Sequence, residues 1–223
     1  LPYHFPEEVE AEAAKIPTAL PEKDIKKRRD FREVCTFTID PEDAKDFDDA
    51  LSMRDLKNGN LEVGVHIADV THYVRPGGLI EAEAVERATS VHLVDRTIPM
   101  LPEVMSYNLC SLRPNEDRFA FSAVFELDKD GVVVKEWFGR TVIHSDRRFT
   151  YAEAQERIET GKGDLAEEVR RLDRLAKKMR VRRFKAGGID FDTEEVRFRL
   201  SEDGKPIEVL IKRMMDANRL VED

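Results

Sequence analysis

Two runs of alternating apolar and polar residues flank a turn sequence near the middle of the chain. The runs are AFSAVFEL and VVVKEWFG, and the turn between them is DKDG. Alternation with a period of two is typical of a strand with one buried face, and a glycine-containing turn between two such runs predicts a β-hairpin. This hairpin is the clearest structural signal in the sequence, and it indicates a fold built on antiparallel strands.

Other strands are predicted on both sides of this hairpin. After Val34, apolar residues alternate with threonines up to Asp40, which predicts a half-buried strand. Two further hairpins are predicted, one around Asn58-Gly59 and one formed by VRFRL and IEVLIK around EDGK. Helical periodicity is present near residues 7–14, 79–87, 151–159 and 165–185 and again from about Arg213. The fold class predicted is therefore α+β, with mostly antiparallel strands and hairpins covered by helices.

Proline and charge patterns suggest how the chain is divided. Residues 1–30 are rich in proline and lack a sustained apolar period, which predicts a linker that leads into a domain at residues 31–223. The helix predicted from Arg213 is still running at Asp223, so the domain is expected to be truncated. No run of about eighteen apolar residues exists, which excludes a transmembrane span. Two cysteines without CxxC spacing favour a reducing, cytoplasmic location.

A dense acidic stretch follows the first predicted strand. Residues 38–51 read TIDPEDAKDFDDAL. Two carboxylates about 5 Å apart repel by roughly 3 kcal/mol at an effective dielectric constant near 20, so the stretch requires solvent and salt, a basic partner or a divalent metal. The formal net charge of −9 argues against a nucleic-acid partner unless a local basic patch exists, and KKRR at residues 26–29 and the basic run at 170–185 are candidates.

Several kinds of site are compatible with this stretch. A calcium-binding EF-hand is excluded because Lys45 occupies the position of the required glycine. A haloacid dehalogenase-type phosphatase would place a second aspartate two residues after Asp40, where this chain has Glu42. A two-magnesium site for phosphoryl transfer fits better, because it needs several carboxylates from more than one backbone position. An exposed acidic loop without a ligand stays open on composition alone.

The motifs together resemble a known family. IDPEDAKDFDDAL, VGVHIADVTHYV, IPMLPEVMSYNLCSLRPNEDR, RFTY and GGIDF closely resemble the catalytic RNB domain of the RNase II family, nearest to its ribonuclease R branch. The resemblance implies the N-terminal half of an RNB-type catalytic domain. It also implies a processive 3′-to-5′ exoribonuclease that hydrolyses single-stranded RNA to nucleoside 5′-monophosphates by a two-metal mechanism.

The resemblance assigns roles to individual residues. Asp40, Asp46, Asp48 and Asp49 match the four acidic residues of the reaction centre, and would ligate Mg²⁺, with Mn²⁺ as a substitute. Four residues match positions near the 3′ end of the RNA: Tyr151, Phe191, His92 and Glu222. At His92 the family usually has a tyrosine, so an imidazole would stack there with less area.

The family pattern also includes parts that this sequence lacks. Relatives add cold-shock-type and OB-fold RNA-binding domains, and the second half of the RNB domain supplies an arginine at the reaction centre. The chain is therefore predicted to be a fragment that could be inactive alone. The alternative from another class is an RNA-binding module that has lost catalysis, although four intact aspartates argue against it.

Overall fold

The computed structural model describes residues 3–189 and 195–223. The chain divides into two compact units: the first comprises the segment up to Ser90 together with Pro99–Thr150, and the second comprises Val91–Ile98 and Tyr151–Asp223. None of the helices in the described ranges is both long and apolar enough to cross a lipid bilayer.

The elements are numbered along the chain. The strands are β1 (Arg29–Phe31), β2 (Thr36–Asp40), β3 (Asp49–Asp55), β4 (Leu61–Ala68), β5 (Val91–His92), β6 (Thr97–Ile98), β7 (Asp117–Leu127), β8 (Val133–His144), β9 (Arg147–Thr150), β10 (Glu195–Leu200) and β11 (Pro206–Lys212). The helices are α1 (Glu7–Ala13), α2 (Glu22–Ile25), α3 (Val70–Tyr73), α4 (Leu79–Arg87), α5 (Tyr151–Thr160), α6 (Ala166–Lys185) and α7 (Asp216–Glu222), with a π-helical turn at Met105–Leu109.

The first unit is organised around a mixed sheet with the strand order β1-β8-β7-β4-β3-β2-β9. The interior pairs are antiparallel, whereas the outermost pairs, β1 with β8 and β2 with β9, are parallel. The predicted hairpins are present as β3–β4, β7–β8 and, in the second unit, β10–β11. The α+β prediction is confirmed, because antiparallel hairpins form most of the sheet and helices follow them.

Strand β2 is more deeply buried than the alternation suggested. The prediction of a half-buried strand is wrong, since all five of its residues are buried. Phe37 packs edge-to-face on Phe149 of β9, with ring centroids 5.6 Å apart. The hydroxyl of Thr36 donates to the carbonyl oxygen of Val34 at 2.7 Å. Thr36 can line the second buried face of this interior strand because its short hydroxyl finds a partner on nearby backbone.

The N-terminal segment predicted as a linker packs within the first unit. Val9 and Ala13 lie one turn apart on α1 and are buried in the same core as Phe31 of β1. Arg87 of α4 donates to the carbonyl oxygen of His4 at 2.9 Å. The segment therefore contributes apolar contacts and a strand to this unit, although its prolines hide that role in the sequence.

In the described part of the second unit, three helices pack on one another. Helix α5 contacts α6 and α7, and α6 contacts α7. The ammonium group of Lys177 links the helices, since it lies 3.0 Å from Asp173 and 2.7 Å from Asp216. Helix α7 begins at Asp216, three residues later than predicted, and the Asn218 side chain accepts a hydrogen bond from the Met215 amide at 3.0 Å.

Candidate active site

Asp40 ends β2 as a buried carboxyl group without a full set of partners. Its neighbours in the sheet are β3 and β9, and its register partner on β9 is Thr150. Within the described ranges, Asp40 Oδ2 is inaccessible to solvent and has no hydrogen-bond partner. Burial raises the pKa of Asp40 to about 6, and the charges of Asp49 and Asp48 act in the same direction, while Thr38 and Arg148 offset part of the rise. The site therefore holds a carboxylate whose charge the protein itself compensates only in part.

The acidic loop between β2 and β3 is fixed by hydrogen bonds along its length. The Phe47 amide donates to Ser111 Oγ at 3.0 Å, and Ser111 Oγ in turn donates to the carbonyl oxygen of Lys45 at 3.1 Å. The amide of Leu112 donates to the carbonyl oxygen of Phe47 at 2.8 Å. These bonds hold the middle of the loop, at Lys45 and Phe47, against the segment at Ser111 and Leu112.

Arg148 forms hydrogen bonds with the start of the same loop. Its guanidinium donates to the main-chain carbonyl oxygens of Pro41 and of Glu42, the latter at 3.0 Å. Arg148 lies within the motif RFTY, and the motif alone assigns it no role. Both bonds come from the same atom, Nη2, so Arg148 positions the loop through two consecutive backbone carbonyl oxygens.

The four predicted aspartates differ in environment. Asp49 begins β3, and burial raises the pKa of its carboxyl group. Asp48 is exposed, and its carbonyl oxygen accepts a hydrogen bond from the Ala68 amide at 3.0 Å. Asp46 is half-buried. Burial raises the pKa of Tyr107, and the charge of Asp46 adds to that rise. The structure thus brings Asp48 and Asp49 within electrostatic range of Asp40 and places Asp46 toward Tyr107.

The aspartates do not form a closed ligand shell in this structure. In residues 3–189 and 195–223, no group of three or more His, Cys, Asp or Glu side chains has the arrangement of a metal site. The donor chemistry nevertheless fits a hard divalent cation. Asp40 is buried and Asp49 is half-buried, the pKa values of both are raised, and Asp40 Oδ2 lacks a partner in the described part of the chain. A bound cation would compensate these charges, as carboxylate oxygens are its preferred ligands. The four-aspartate metal site stays a prediction.

The residues predicted to contact the RNA 3′ end belong mainly to the second unit. Tyr151 begins α5 and is half-buried. His92 is exposed on β5, and its Nδ1 lies 3.1 Å from Thr97 Oγ1 on β6. Glu222 is the exposed last residue of α7. Phe191 lies outside the described residues. Their roles stay predictions.

His66 belongs to a buried polar network that no sequence motif indicates. His66 Nδ1 lies 2.7 Å from Ser122 Oγ, and His66 Nε2 lies 2.8 Å from Ser52 Oγ. Ser122 Oγ lies 2.6 Å from Thr141 Oγ1 on the next strand. Burial, with a contribution from the charge of Arg29, lowers the pKa of His66 to about 4. His66 is therefore a neutral core residue.

Comparison with known proteins identifies the class to which this arrangement belongs. A family model described as the RNB domain matches residues 28–223. The exosome complex exonuclease RRP44 of Homo sapiens is 43% identical over 212 residues, which cover 94% of this chain and 22% of that protein. Ribonuclease R of Thermotoga maritima is 41% identical over 228 residues, which cover 100% of this chain and 32% of that protein.

Solved structures agree with the sequence comparison. Mycoplasma genitalium RNase R in complex with ribose-methylated single-stranded RNA matches with a TM-score of 0.90 and 26% identity, over 98% of this chain and 35% of that chain. The fold is therefore that of an RNB-type catalytic domain. The chain belongs to the RNB domain family, which confirms the resemblance and leaves no support for the phosphatase alternative. It spans between 22% and 35% of the length of these relatives.

Proposed function

We propose that this chain carries the acidic reaction centre of a processive 3′-to-5′ exoribonuclease that releases nucleoside 5′-monophosphates from single-stranded RNA. The observation that carries the proposal is the buried, incompletely partnered carboxyl of Asp40, whose pKa is raised beside two further aspartates. Perturbed carboxyls of this kind cluster at functional sites. Two relatives whose names are exonuclease or ribonuclease, and a ribonuclease structure that contains RNA, support the substrate class.

The aspartates are proposed to hold divalent metal, on which RNB-family exoribonucleases generally depend. Asp40, Asp46, Asp48 and Asp49 would ligate Mg²⁺, or Mn²⁺ in its place. When bound, the metal supplies Lewis-acid stabilisation of the charge that develops on the phosphoryl group. The protein supplies a loop whose backbone is already bonded to Ser111, Leu112 and Arg148, which limits how far the backbone that carries the carboxylates can move.

The 3′-terminal nucleotides are proposed to contact the residues named by the resemblance. Phe191 and His92 would stack on terminal bases, which suits an enzyme without sequence preference because every base has a π-face. Tyr151 would lie near the 3′-terminal nucleotides, and Glu222 would lie near the 3′ end of the strand. Exposure of His92 and Glu222 leaves both accessible to a ligand.

The partners and location of the whole protein are also proposals. Cold-shock-type and OB-fold RNA-binding domains would complete the RNA path, as the resemblance implies. A reducing cytoplasmic location is proposed from the two cysteines without CxxC spacing, of which Cys110 is buried with its pKa raised to about 12 by burial. A thiol in that state is a poor nucleophile and a poor metal ligand.

The direct test removes one exposed aspartate from the full-length protein that contains this chain. Asp48→Asn keeps the side-chain volume and lies at an exposed position, so folding should be retained. With 5′-labelled single-stranded RNA and magnesium, the wild type should shorten the RNA stepwise from its 3′ end. Asp48→Asn should lower turnover by roughly three orders of magnitude, while RNA affinity measured in a chelator stays unchanged.

The matched control is Asp43→Asn, which removes the same charge from another exposed position of the same loop. It should retain turnover, because the resemblance gives Asp43 no role. Equal turnover in Asp48→Asn and Asp43→Asn would contradict the site assignment. A folded wild type that binds RNA but releases no mononucleotide in either metal would favour the binding module that has lost catalysis.

A further inference from the structure

A second candidate ligand site is an open cavity in the first unit with a volume of about 320 Å³. The residues that line it are Asp24, Lys27, Arg28, His72, Arg75 and Arg140. Four of the six are lysine or arginine, and only one is acidic. The chain as a whole has a formal net charge of −9, so this cavity concentrates positive charge against the general trend of the surface. A local concentration of this kind attracts anions whatever the net charge of the protein.

Arg28, one of the lining residues, is held in a buried ion pair. Arg28 Nη2 lies 2.6 Å from Asp69 Oδ2, and both side chains are almost completely buried. Arg28 also donates to the carbonyl oxygens of Ala120 at 3.3 Å and Thr141 at 3.2 Å, and its guanidinium lies 3.9 Å from the Phe119 ring centroid. Arg28 therefore directs its donors at the protein, and it supports the cavity rather than the ligand.

Three other cations remain available to a ligand. Arg140 is 51% exposed and shares Asp69 with Arg28, at 3.6 Å from Nε to Oδ2. Lys27 is exposed and lies 3.7 Å from Asp24. Arg75 is exposed and makes no ion pair with any residue in the described ranges. One carboxylate cannot neutralise two guanidinium groups, so the cavity retains positive charge that suits a phosphate group, which arginine binds through paired donors.

The sheet register links this cavity to the acidic end of the sheet. Asp49 pairs with Ile67, Ile67 pairs with Phe121, and Phe121 pairs with Arg140. Directly paired residues point to the same face of a sheet, and three strand spacings put Asp49 and Arg140 about 14 Å apart. Ile67 is 48% exposed and Phe121 is 50% exposed. An open apolar row, with an aromatic ring in it, thus runs from the candidate reaction centre to the cationic cavity.

We propose that the cavity formed by Lys27, Arg75 and Arg140 binds a backbone phosphate of the RNA, and that Phe121 supports a base between this phosphate and the reaction centre. Alternating phosphate contacts and base stacking are how proteins hold single-stranded RNA without sequence preference. An acidic protein partner would explain the cations but not the exposed ring on the row that leads to Asp49. The inference rests on the proposed function, since it takes the bound polyanion to be the RNA substrate.

The test compares two double variants of the full-length protein in a chelator, so that RNA is bound and not cut. Arg75→Gln/Arg140→Gln removes two charges from the cavity. The matched control, Lys57→Gln/Lys129→Gln, removes two charges from exposed hairpin turns at the opposite end of the sheet. The probe is a 5′-labelled oligoadenylate, and its dissociation constant is measured by fluorescence anisotropy over a range of salt concentrations.

The cavity variant should bind this RNA about 10-fold more weakly, and the slope of log affinity against log salt should fall by about 0.7, the value for one phosphate of a single strand. The control variant should match the wild type. Arg75→Lys/Arg140→Lys keeps the charge and should keep the salt slope. Phe121→Ala should weaken binding roughly fivefold without changing that slope.

The proposal would be overturned if the cavity variant and the control variant had the same RNA affinity and the same salt slope, whether or not both bind more weakly than the wild type. Circular dichroism of each variant verifies folding before binding is compared. Asp48→Asn, measured in the same binding assay and in a magnesium hydrolysis assay, tests the proposed function separately. Hydrolysis retained by Asp48→Asn contradicts the reaction centre, whereas unchanged RNA binding by the cavity variant contradicts only the phosphate site.

Discussion

The guanidinium of Arg148, on β9, donates a hydrogen bond to the main-chain carbonyl oxygen of Glu42, in the acidic loop, at 3.0 Å. It also donates to the carbonyl oxygen of Pro41, the residue directly after Asp40. A single side chain thus joins the strand next to β2 to the loop that carries Asp46 and Asp48. Neither carbonyl oxygen belongs to a residue predicted to bind metal, so Arg148 is a positioning residue.

Arg148→Gln should therefore weaken the metal site without removing any ligand. Loss of the two charged hydrogen bonds should cost about 1.5–3 kcal/mol of local stability and let the loop relax. We expect the magnesium concentration for half-maximal hydrolysis to rise about 10-fold, with a smaller loss of turnover at saturating magnesium. Magnesium titrations of the full-length enzyme measure both. A fall in turnover at unchanged magnesium dependence would instead give Arg148 a role other than positioning.

The raised pKa of Asp40, about 6, makes the stability of β2 depend on pH. An exposed aspartate has a pKa near 3.9, so the folded state holds this proton more tightly than the unfolded state between about pH 4 and pH 6. Stability without metal should accordingly fall as pH rises through that window, by up to about 3 kcal/mol. Asp40→Asn cannot ionise and should escape this loss.

Hydrogen exchange of the peptide that covers β2 measures this effect in the full-length protein. At pH 8 in a chelator, the β2 amides of Asp40→Asn should exchange more slowly than those of the wild type, by a factor of roughly 10 or more. Added magnesium should slow exchange in the wild type and leave Asp40→Asn unchanged. Faster exchange in the variant at pH 8 would show that the carboxylate stabilises the metal-free fold and would contradict the argument.

The sequence predicted those parts of the fold that depend on neighbours along the chain. The hairpin around Asn58-Gly59 follows from alternation and from a turn in which Gly59 adopts a φ of +84°. The parallel pairing of Phe37 with Arg147 and of Phe31 with Ile143 could not be predicted in the same way. The partners in such pairs are remote in sequence, and strands as short as β1 carry too few residues to show a period.

The candidate site was predictable to a similar extent. The position of Asp40 at the end of a strand was evident from the alternation before it, and the need for a loop that folds back followed from the spacing to Asp49. The residues that hold this loop could not be predicted, because Ser111 and Arg148 are about 60 to 110 positions away and their side chains bond to backbone atoms of the loop. Backbone contacts leave no pattern of residue types in a sequence. The burial of His66 was likewise hidden, since a histidine on a strand can face either side.

His66 should make the first unit sensitive to acid. Its pKa is lowered to about 4, mainly by burial, whereas in the unfolded chain a histidine titrates near 6.5. The unfolded state therefore binds more protons than the folded state between these values, and stability should fall as pH falls from about 6.5 to 4. At pH 5 the loss should be about 2 kcal/mol.

Thermal unfolding of the wild type and of His66→Asn at pH 7 and pH 5 tests this prediction. The variant should be less stable than the wild type at pH 7, because it loses contacts to Ser52 and Ser122. The difference in Tm should shrink at pH 5. At that pH only the wild type loses stability through protonation of the histidine in its unfolded state. A difference in Tm that is the same at both pH values would rule out His66 as the acid-sensitive group.

Gly64 leaves the space that this network occupies. A Cβ atom at residue 64 would lie 2.5 Å from Ser52 Oγ and 2.7 Å from His66 Nε2, and these two atoms are themselves hydrogen-bonded at 2.8 Å. Gly64→Ala must displace at least one of them and leave buried polar groups without partners. We expect a loss of about 2–4 kcal/mol in the free energy of unfolding.

The double variant Gly64→Ala/Ser52→Ala tests whether the loss of stability in Gly64→Ala comes from overlap of the new methyl group with Ser52 Oγ. Ser52→Ala removes the atom nearest to the new methyl group and by itself loses one hydrogen bond to His66. The two changes should therefore be strongly non-additive, with the double variant more stable than the sum of the single effects predicts, by at least about 1 kcal/mol. Thermal unfolding of the four proteins at pH 7 completes the cycle. Additive effects would mean that the methyl group clashes elsewhere and that Gly64 does not make room for the Ser52–His66 contact.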